Sequence, residues 1–410
     1  MKQTFIYLSL ASVFGLPLTA SADSASVKIF GRVQTEYSST KIDQAASASS
    51  FRQESLGDNT GHSRWGLDIS EDLGNGLNAK ARIEYGFSTG AGVADFAREQ
   101  WVGLAGKSWG ELKFGRFESP LKNFAGGATI DPFFDSNLQA VGAGGAVVGP
   151  NNGLGSSAFV DHAIRYDSPN FNGFSAALLW LPSDATQTEP NAGGAGGTGG
   201  KGGGNDYQIA LKYQFGKVGE VFGVYSRDSA SDAQRATFTN GRFGEDESVW
   251  RLGGSVAFGD FNLVGQYDDF SDTLVNGSAI CSGGASAALD GNSTTQCNSG
   301  LNANGDGHAW LLGVHYQLGK TTFVVQGGRS QADAVTNGST GVLTANERSA
   351  KNITLGAIYK FSKRTRVFGG YQRVSLDGAR SVDNSLTSGT AVLGIQPKRS
   401  TWDIGLRHDF

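Results

Sequence analysis

The chain has 410 residues, with 34 lysines and arginines against 38 aspartates and glutamates and a formal net charge of −4. That balance leaves no basic excess for nucleic acid, and 61 glycines beside 8 prolines suit many turns better than long helices. After the N-terminal segment no run of eighteen apolar residues occurs, which excludes a membrane-spanning helix on the usual length argument.

Residues 1–22 read as a secretory signal peptide, cleaved in the mature protein. Lys2 precedes an apolar run from Phe5 to Leu18, and Ala20, Ser21 and Ala22 give the small-x-small cleavage pattern. Removing 22 of 410 residues leaves 388, and losing Lys2 takes the net charge from −4 to −5. Residues 23–410 are long for one soluble β domain, whereas a large barrel needs that length.

Sixteen segments of alternating character follow. Val27, Ile29, Val33 and Tyr37 share one face of the first, Trp65, Leu67 and Ile69 one face of the next, then Leu77, Ala79, Ala81, Ile83 and Tyr85. After WVGLAG, the turn KSWG and ELKFGRFESP, about forty residues carry no helical or strand period. A loop of that length is generally functional or disordered. Phe117, Phe124, Ile130, Phe133 and Phe134 make residues 117–158 too apolar for a disordered tail and point to folding against something. Alternation resumes at FVDHAIRYDSP and is clearest where Tyr207, Ile209, Leu211, Tyr213 and Phe215 oppose Asp206, Gln208, Lys212 and Gln214. Ile353, Leu355, Ala357, Tyr359 and Phe361, then Trp402, Ile404 and Leu406, complete the series. Each is a strand with one apolar and one polar face, and the polar face must meet water.

Short turns at residues 72–76, 107–110, 168–173, 216–219, 259–260, 319–320 and 362–365 alternate with long connections at 38–62, 86–97, 117–158, 183–204, 228–246, 271–306, 331–350 and 377–399. That asymmetry puts every short turn at one end, as in an outer-membrane barrel, and a soluble sandwich gives no reason for it. Aromatic residues sort the same way. Trp65, Trp180, Trp250, Trp310 and Trp402 lie next to long loops, while Tyr213, Phe215, Phe258, Phe261, Tyr316, Tyr359 and Phe361 lie next to short turns. Strand propensity alone predicts no such sorting, whereas two membrane interfaces select it.

IFGRVQTEY, SRWGLDISEDLGNGL, REQWVGLAG, WGELKFGRFESPLK, IRYDSPNFNGF and the terminal GLRHDF, in this order, resemble the general porins of Gram-negative outer membranes, and most closely the proteobacterial trimeric type. The resemblance covers essentially the whole mature chain. It implies an all-β, 16-stranded antiparallel transmembrane β-barrel, a homotrimer in the bacterial outer membrane that contacts membrane lipid and lipopolysaccharide. It also implies assembly by barrel-assembly machinery that recognises Phe410, passive diffusion of small hydrophilic solutes and ions, and a third long loop, residues 117–158, folded inward to narrow the pore. Porins of this type set a basic wall against an acidic loop. Lys28, Arg32, Arg64, Lys80 and Arg82 share the inward parity, and Arg98 falls where the family places a wall arginine. The loop offers Glu118, Lys122, Asp131 and Asp135, with TIDPFFDSN in place of the usual Pro-Glu-Phe-Gly-Gly-Asp.

The net charge of −5 suggests a cation channel, but much of it lies in outer loops such as Glu245, Asp246 and Glu247. Charges beyond the Debye length of about 8 Å at physiological salt are largely screened. The wall cations outnumber the loop acids, even with Asp68 and Glu84 as partial neutralisers, so a weak anion preference is expected. On this reading Arg82→Ser shifts the zero-current potential toward cations and Asp131→Asn shifts it toward anions. Cys281 and Cys297, both in the sixth long connection of an exported chain, are expected to form a disulfide worth roughly 3 kcal/mol locally. No CxxC or histidine pair accompanies them, so neither metal nor cofactor is expected. Residues 193–204 lack the first glycine and the Ser or Thr of a phosphate loop and read as a flexible surface loop. Two alternatives differ in class. A membrane-embedded hydrolase would use a serine with a histidine such as His162, and no supporting pair can be identified; a surface adhesin would be a plugged barrel without conductance.

Overall fold

Exposure along the strands is inverted relative to a water-soluble sheet. In the last strand Trp402, Ile404 and Leu406 are at least half exposed while Arg399, Thr401 and Asp403, of the opposite parity, are buried. An apolar face this open is costly in water and is what lipid requires. Period-two alternation supplies it directly, because successive side chains leave opposite sides of the pleat.

The computed structural model describes residues 25–43, 51–58, 63–90, 92–140, 159–182, 206–228, 247–275, 303–333, 335–336, 343–345, 348–377 and 398–410. The signal segment, residues 141–158 of the third loop, and Cys281 and Cys297 lie outside them. The first strands are β1 (Ser26–Asp43), β2 (Phe51–Gly57), β3 (Ser63–Gly74), β4 (Leu77–Ser88), β5 (Gly92–Gly106) and β6 (Gly110–Glu118). A one-turn helix α1 (Pro120–Asn123) and a 3-10 turn at Gly127–Thr129 follow. Next come β7 (Phe159–Asp167), β8 (Phe174–Leu181), β9 (Asp206–Gln214), β10 (Gly219–Asp228), β11 (Glu247–Phe258), β12 (Phe261–Val275), β13 (Ala303–Leu318) and β14 (Thr321–Ala332). A small hairpin, β15 (Val335–Thr336) with β16 (Leu343–Ala345), precedes β17 (Arg348–Lys360), β18 (Thr365–Asp377) and β19 (Lys398–Asp409).

All pairings are antiparallel, and β1 closes the sheet by pairing with β3 on one side and β19 on the other. With β2 lying against the outer part of β1, and β15 and β16 forming a separate sheet, sixteen strands make the closed barrel. The short turns fall where the sequence puts them. Gly259 and Gly319, both at φ 59°, turn hairpins of two residues, as such tight connections require. One connection departs from the expected length. Residues 86–97 read as a long loop, yet β4 runs to Ser88 and β5 starts at Gly92, with Gly86 paired to Phe96.

The aromatic residues stand in two bands. Trp65 meets Tyr85, Tyr225 meets Trp250 and Tyr371 meets Trp402 near the long connections. Phe174 meets Tyr213, Phe261 meets Tyr316 and Tyr359 meets Phe361 near the short turns.

Candidate functional site

The chain leaves β6 at Glu118 and turns into the lumen. Ser119 is extended and Pro120 starts α1, so the proline's missing N–H costs nothing there. Leu121, Ala125, Ile130 and Ala140 pack on Ala177, Ala210, Phe222, Val249 and Val264 of the inner wall, and Phe133 and Leu138 pack on Val324, Ile358 and Phe368. These contacts place the loop across the barrel interior.

Polar groups of the wall then take up the loop's backbone, which must be satisfied once it is away from bulk water. Arg251 donates Nε and Nη2 to Asp268 at 2.7 and 2.8 Å and Nη1 to the carbonyls of Leu121 and Ala125. Gln266 accepts from Gly127 N at 2.8 Å, and a Cβ on Gly126 would stand 2.4 Å from the same amide oxygen, so only glycine fits this approach. Lys212 donates to Phe124 O, Gln372 to Leu138 O and Gln139 O, and Glu36 accepts from Asn137 N. Asp131 accepts from Phe133 N at 3.0 Å, Ala140 N at 2.6 Å and Gln326 Nε2 at 2.8 Å. Its carboxylate therefore organises the loop.

Asp135 does something different. Its left-handed backbone, φ 66°, is tolerable for aspartate but unusual for a residue with a side chain. Asp135 N donates to Gln139 Oε1, its carbonyl accepts from Gln34, and its carboxylate lies 2.5 Å from Arg32 Nη1 and 3.0 Å from Arg64 Nη2. Arg32 also pairs with Asp409 at 3.0 Å, and so does Arg407. Of these groups Arg32, Arg64, Asp135 and Arg407 border a cavity of about 450 Å³ between the loop and the short-turn end of the barrel. Arg32, Arg64, Arg366 and Arg407 line one side of it, and Ser255, Asn262, Val264 and His315 line it from β11 to β13.

The other expected wall cations lie away from this cavity. Arg82 is held by Asp68 at 2.7 Å and Glu99 at 2.8 Å, and Lys80 lies 3.3 Å from Glu111. Arg98 pairs with Glu84 and, at 3.3 Å, with Glu118, which Lys122 approaches to 2.7 Å. Arg98, Arg116 and Lys122 crowd the ring of Phe159, each within 4.5 to 5.1 Å of its centre. This is the foot of the loop. Of the predicted residues, only Arg32, Arg64 and Asp135 meet in one ion-pair cluster facing the cavity; Glu118 and Asp131 border it while engaged elsewhere. Arg366, Arg407 and His315 were missed, although their inward parity in β18, β19 and β13 was readable.

The sequence profile described as Gram-negative porin matches residues 9–379. An outer membrane porin protein of Bordetella pertussis is 26% identical over 315 residues, covering 75% of each chain. The major outer membrane protein P.IB of Neisseria sicca is 25% identical over an alignment of 420 positions spanning 100% of both chains. Among solved structures, an anion-selective porin from Comamonas acidovorans aligns with a TM-score of 0.58 at 20% identity, covering 94% of this chain and 100% of that one. The trimer form of OmpT from Vibrio cholerae aligns with a TM-score of 0.54 at 15% identity, covering 95% and 100%.

Proposed function

Since the chain belongs to the Gram-negative porin family of the bacterial outer membrane, we propose that it forms a water-filled channel for passive diffusion of small hydrophilic solutes and ions, with a weak preference for anions. The observation that carries the sign is the charge around the cavity. Four guanidinium groups, of Arg32, Arg64, Arg366 and Arg407, line it with three carboxylates, of Glu118, Asp131 and Asp135, while Asp409 pairs with Arg32 and Arg407 outside the lining. Glu118 is occupied by Lys122 and Arg98, and Asp131 by loop amides. A positive excess inside low-dielectric walls concentrates anions in the cavity. The fold likeness to an anion-selective porin does not set this sign; the residues of this chain do.

The working unit is a homotrimer, and the inward segment of residues 119–140 sets the aperture. Planar-bilayer recording tests both. Insertions should conduct in three equal steps, and a potassium chloride gradient should give a zero-current potential on the anion side. A potential on the cation side would overturn the selectivity, and a sealed barrel would overturn the channel.

A further inference from the structure

Charge is unevenly spread over the short turns. Lys320 on the β13–β14 turn and Lys363 and Arg364 on the β17–β18 turn are exposed, as is Lys360 at the end of β17. The two turns lie side by side, because Lys360 N donates to Lys320 O at 3.0 Å. None of the four cations forms an ion pair among the described residues. Nearby acids do not balance them. Asp409 is held by Arg32 and Arg407, the terminal carboxylate of Phe410 sits beside Gly31 of β1, and Asp260 on the neighbouring β11–β12 turn is a single charge. By contrast, the turns at residues 72–76 and 168–173 carry no lysine or arginine, and those at 107–110 and 216–219 carry one each.

Apolar anchors flank the same cations. Tyr359 and Phe361 meet edge to face at 5.0 Å, and Phe361 and Leu318 are more than half exposed on the lipid side of the wall. Such rings settle at the headgroup level of a bilayer, which puts the cations beside them at that depth. A lysine or arginine close to an anionic leaflet strengthens binding roughly fivefold, and the gain fades within a Debye length of about 8 Å.

We propose that the β13–β14 and β17–β18 turns form a docking surface for anionic phospholipids of the leaflet on the short-turn side, with Lys320, Lys363 and Arg364 on the phosphates and Tyr359 and Phe361 against the acyl chains. A guanidinium fork takes two oxygens of a phosphate, and an ammonium group attracts it as a point charge. The aromatic pair favours a lipid over a free phosphate, since only the lipid has an apolar part to lay against it. An acidic polymer or protein would satisfy the charges and leave both rings uncovered. Docking of this kind depends on the barrel's seat in the membrane and not on which ion the channel prefers.

The test is native mass spectrometry of the purified protein in neutral detergent, titrated with phosphatidylglycerol or phosphatidylcholine, with inorganic phosphate as competitor. Phosphatidylglycerol should bind saturably and more tightly than phosphatidylcholine, and inorganic phosphate should not displace it. Arg364→Gln should weaken this binding roughly fivefold, and Lys320→Gln, Lys363→Gln and Arg364→Gln together by more than roughly tenfold. Phe361→Ser should weaken it as well, whereas Lys107→Gln, on a distant turn, should leave it unchanged. Heat-modifiable migration on gels shows that each variant has folded. Equal binding of the two lipids, displacement by inorganic phosphate at equal concentration, or unchanged binding in the triple variant would overturn the docking surface. Retention on purified peptidoglycan through the same three cations, without preference for phosphatidylglycerol, would identify an acidic polymer and overturn it too.

Discussion

At Asp131 the carboxylate accepts from Phe133 N and Ala140 N of the loop and from Gln326 of the β14 wall. Asp131→Asn keeps one acceptor oxygen and replaces the other by an NH2 that cannot accept, and leaving a buried N–H unmet costs about 1–3 kcal/mol. To the expected shift toward anions, which loss of a carboxylate charge from the cavity lining still entails, the structure adds a second effect: open-channel noise should rise as the loop loosens. Arg251 is a second case. Its pair with Asp268 is almost wholly buried, 2% and 3% exposed. Removing one partner of such a pair typically costs about 3–5 kcal/mol, whereas replacing both with apolar groups can be nearly neutral. Arg251→Met should broaden the single-channel conductance distribution, and adding Asp268→Leu should recover part of the loss; equal broadening in both variants would show that the loop contacts matter more than the stranded carboxylate. Neither role was legible in the sequence. Arg251, Gln266 and Gln326 have the inward parity of any lumen residue, and alternation cannot separate a side chain that meets water from one that meets a loop 130 or more residues distant.

Strands and turns were far more legible, because lipid on one side and water on the other force a period of two onto nearly every segment. The exception, residues 86–97, is instructive. Gly86, Ser88, Thr89, Gly90 and Gly92 are turn-forming residues that carry no alternation, yet the ladder continues to Ser88 and Gly92, and Asp58 accepts from Ser88 Oγ and Thr89 N at the turn. At the other end of the legibility scale stands β19, where Trp402, Ile404 and Leu406 made the last strand plain. The residue that follows it extends the seam with β1. Phe410 N donates to Gly31 O at 3.0 Å and Gly31 N to Phe410 O at 3.1 Å. A Cβ on Gly31 would lie 2.3 Å from the Phe410 ring. Deleting Phe410, or making Gly31→Val, should reduce the fraction of folded, heat-modifiable barrel in the outer membrane more than it reduces synthesis. Gels run with and without heating measure that fraction, and parental levels for both variants would count against the seam.

For the whole molecule, net charge and site charge point in opposite directions. The chain is acidic overall, at −4, while the cavity is basic, and composition cannot reveal this because it carries no positions. The family and the barrel could be read from motif order and alternation. The cavity could not, since Arg366 and Arg407 are brought to Arg32 and Arg64 only by closure of the sheet.

That closure also orders events in time. The side chains of Arg32 and Asp409, separated by 377 residues, meet across the seam. Chain statistics put the length-dependent part of joining such distant ends at about 5 kcal/mol, and no bond of the seam offsets it until the last strand arrives beside the first. Before then β1 and β19 are two bare edges of one open sheet, each able to template pairing with a neighbouring chain. Folding of this protein is therefore limited less by making strands than by finding one partner late, and a host that shelters both edges during that search determines whether the product is a barrel or an aggregate.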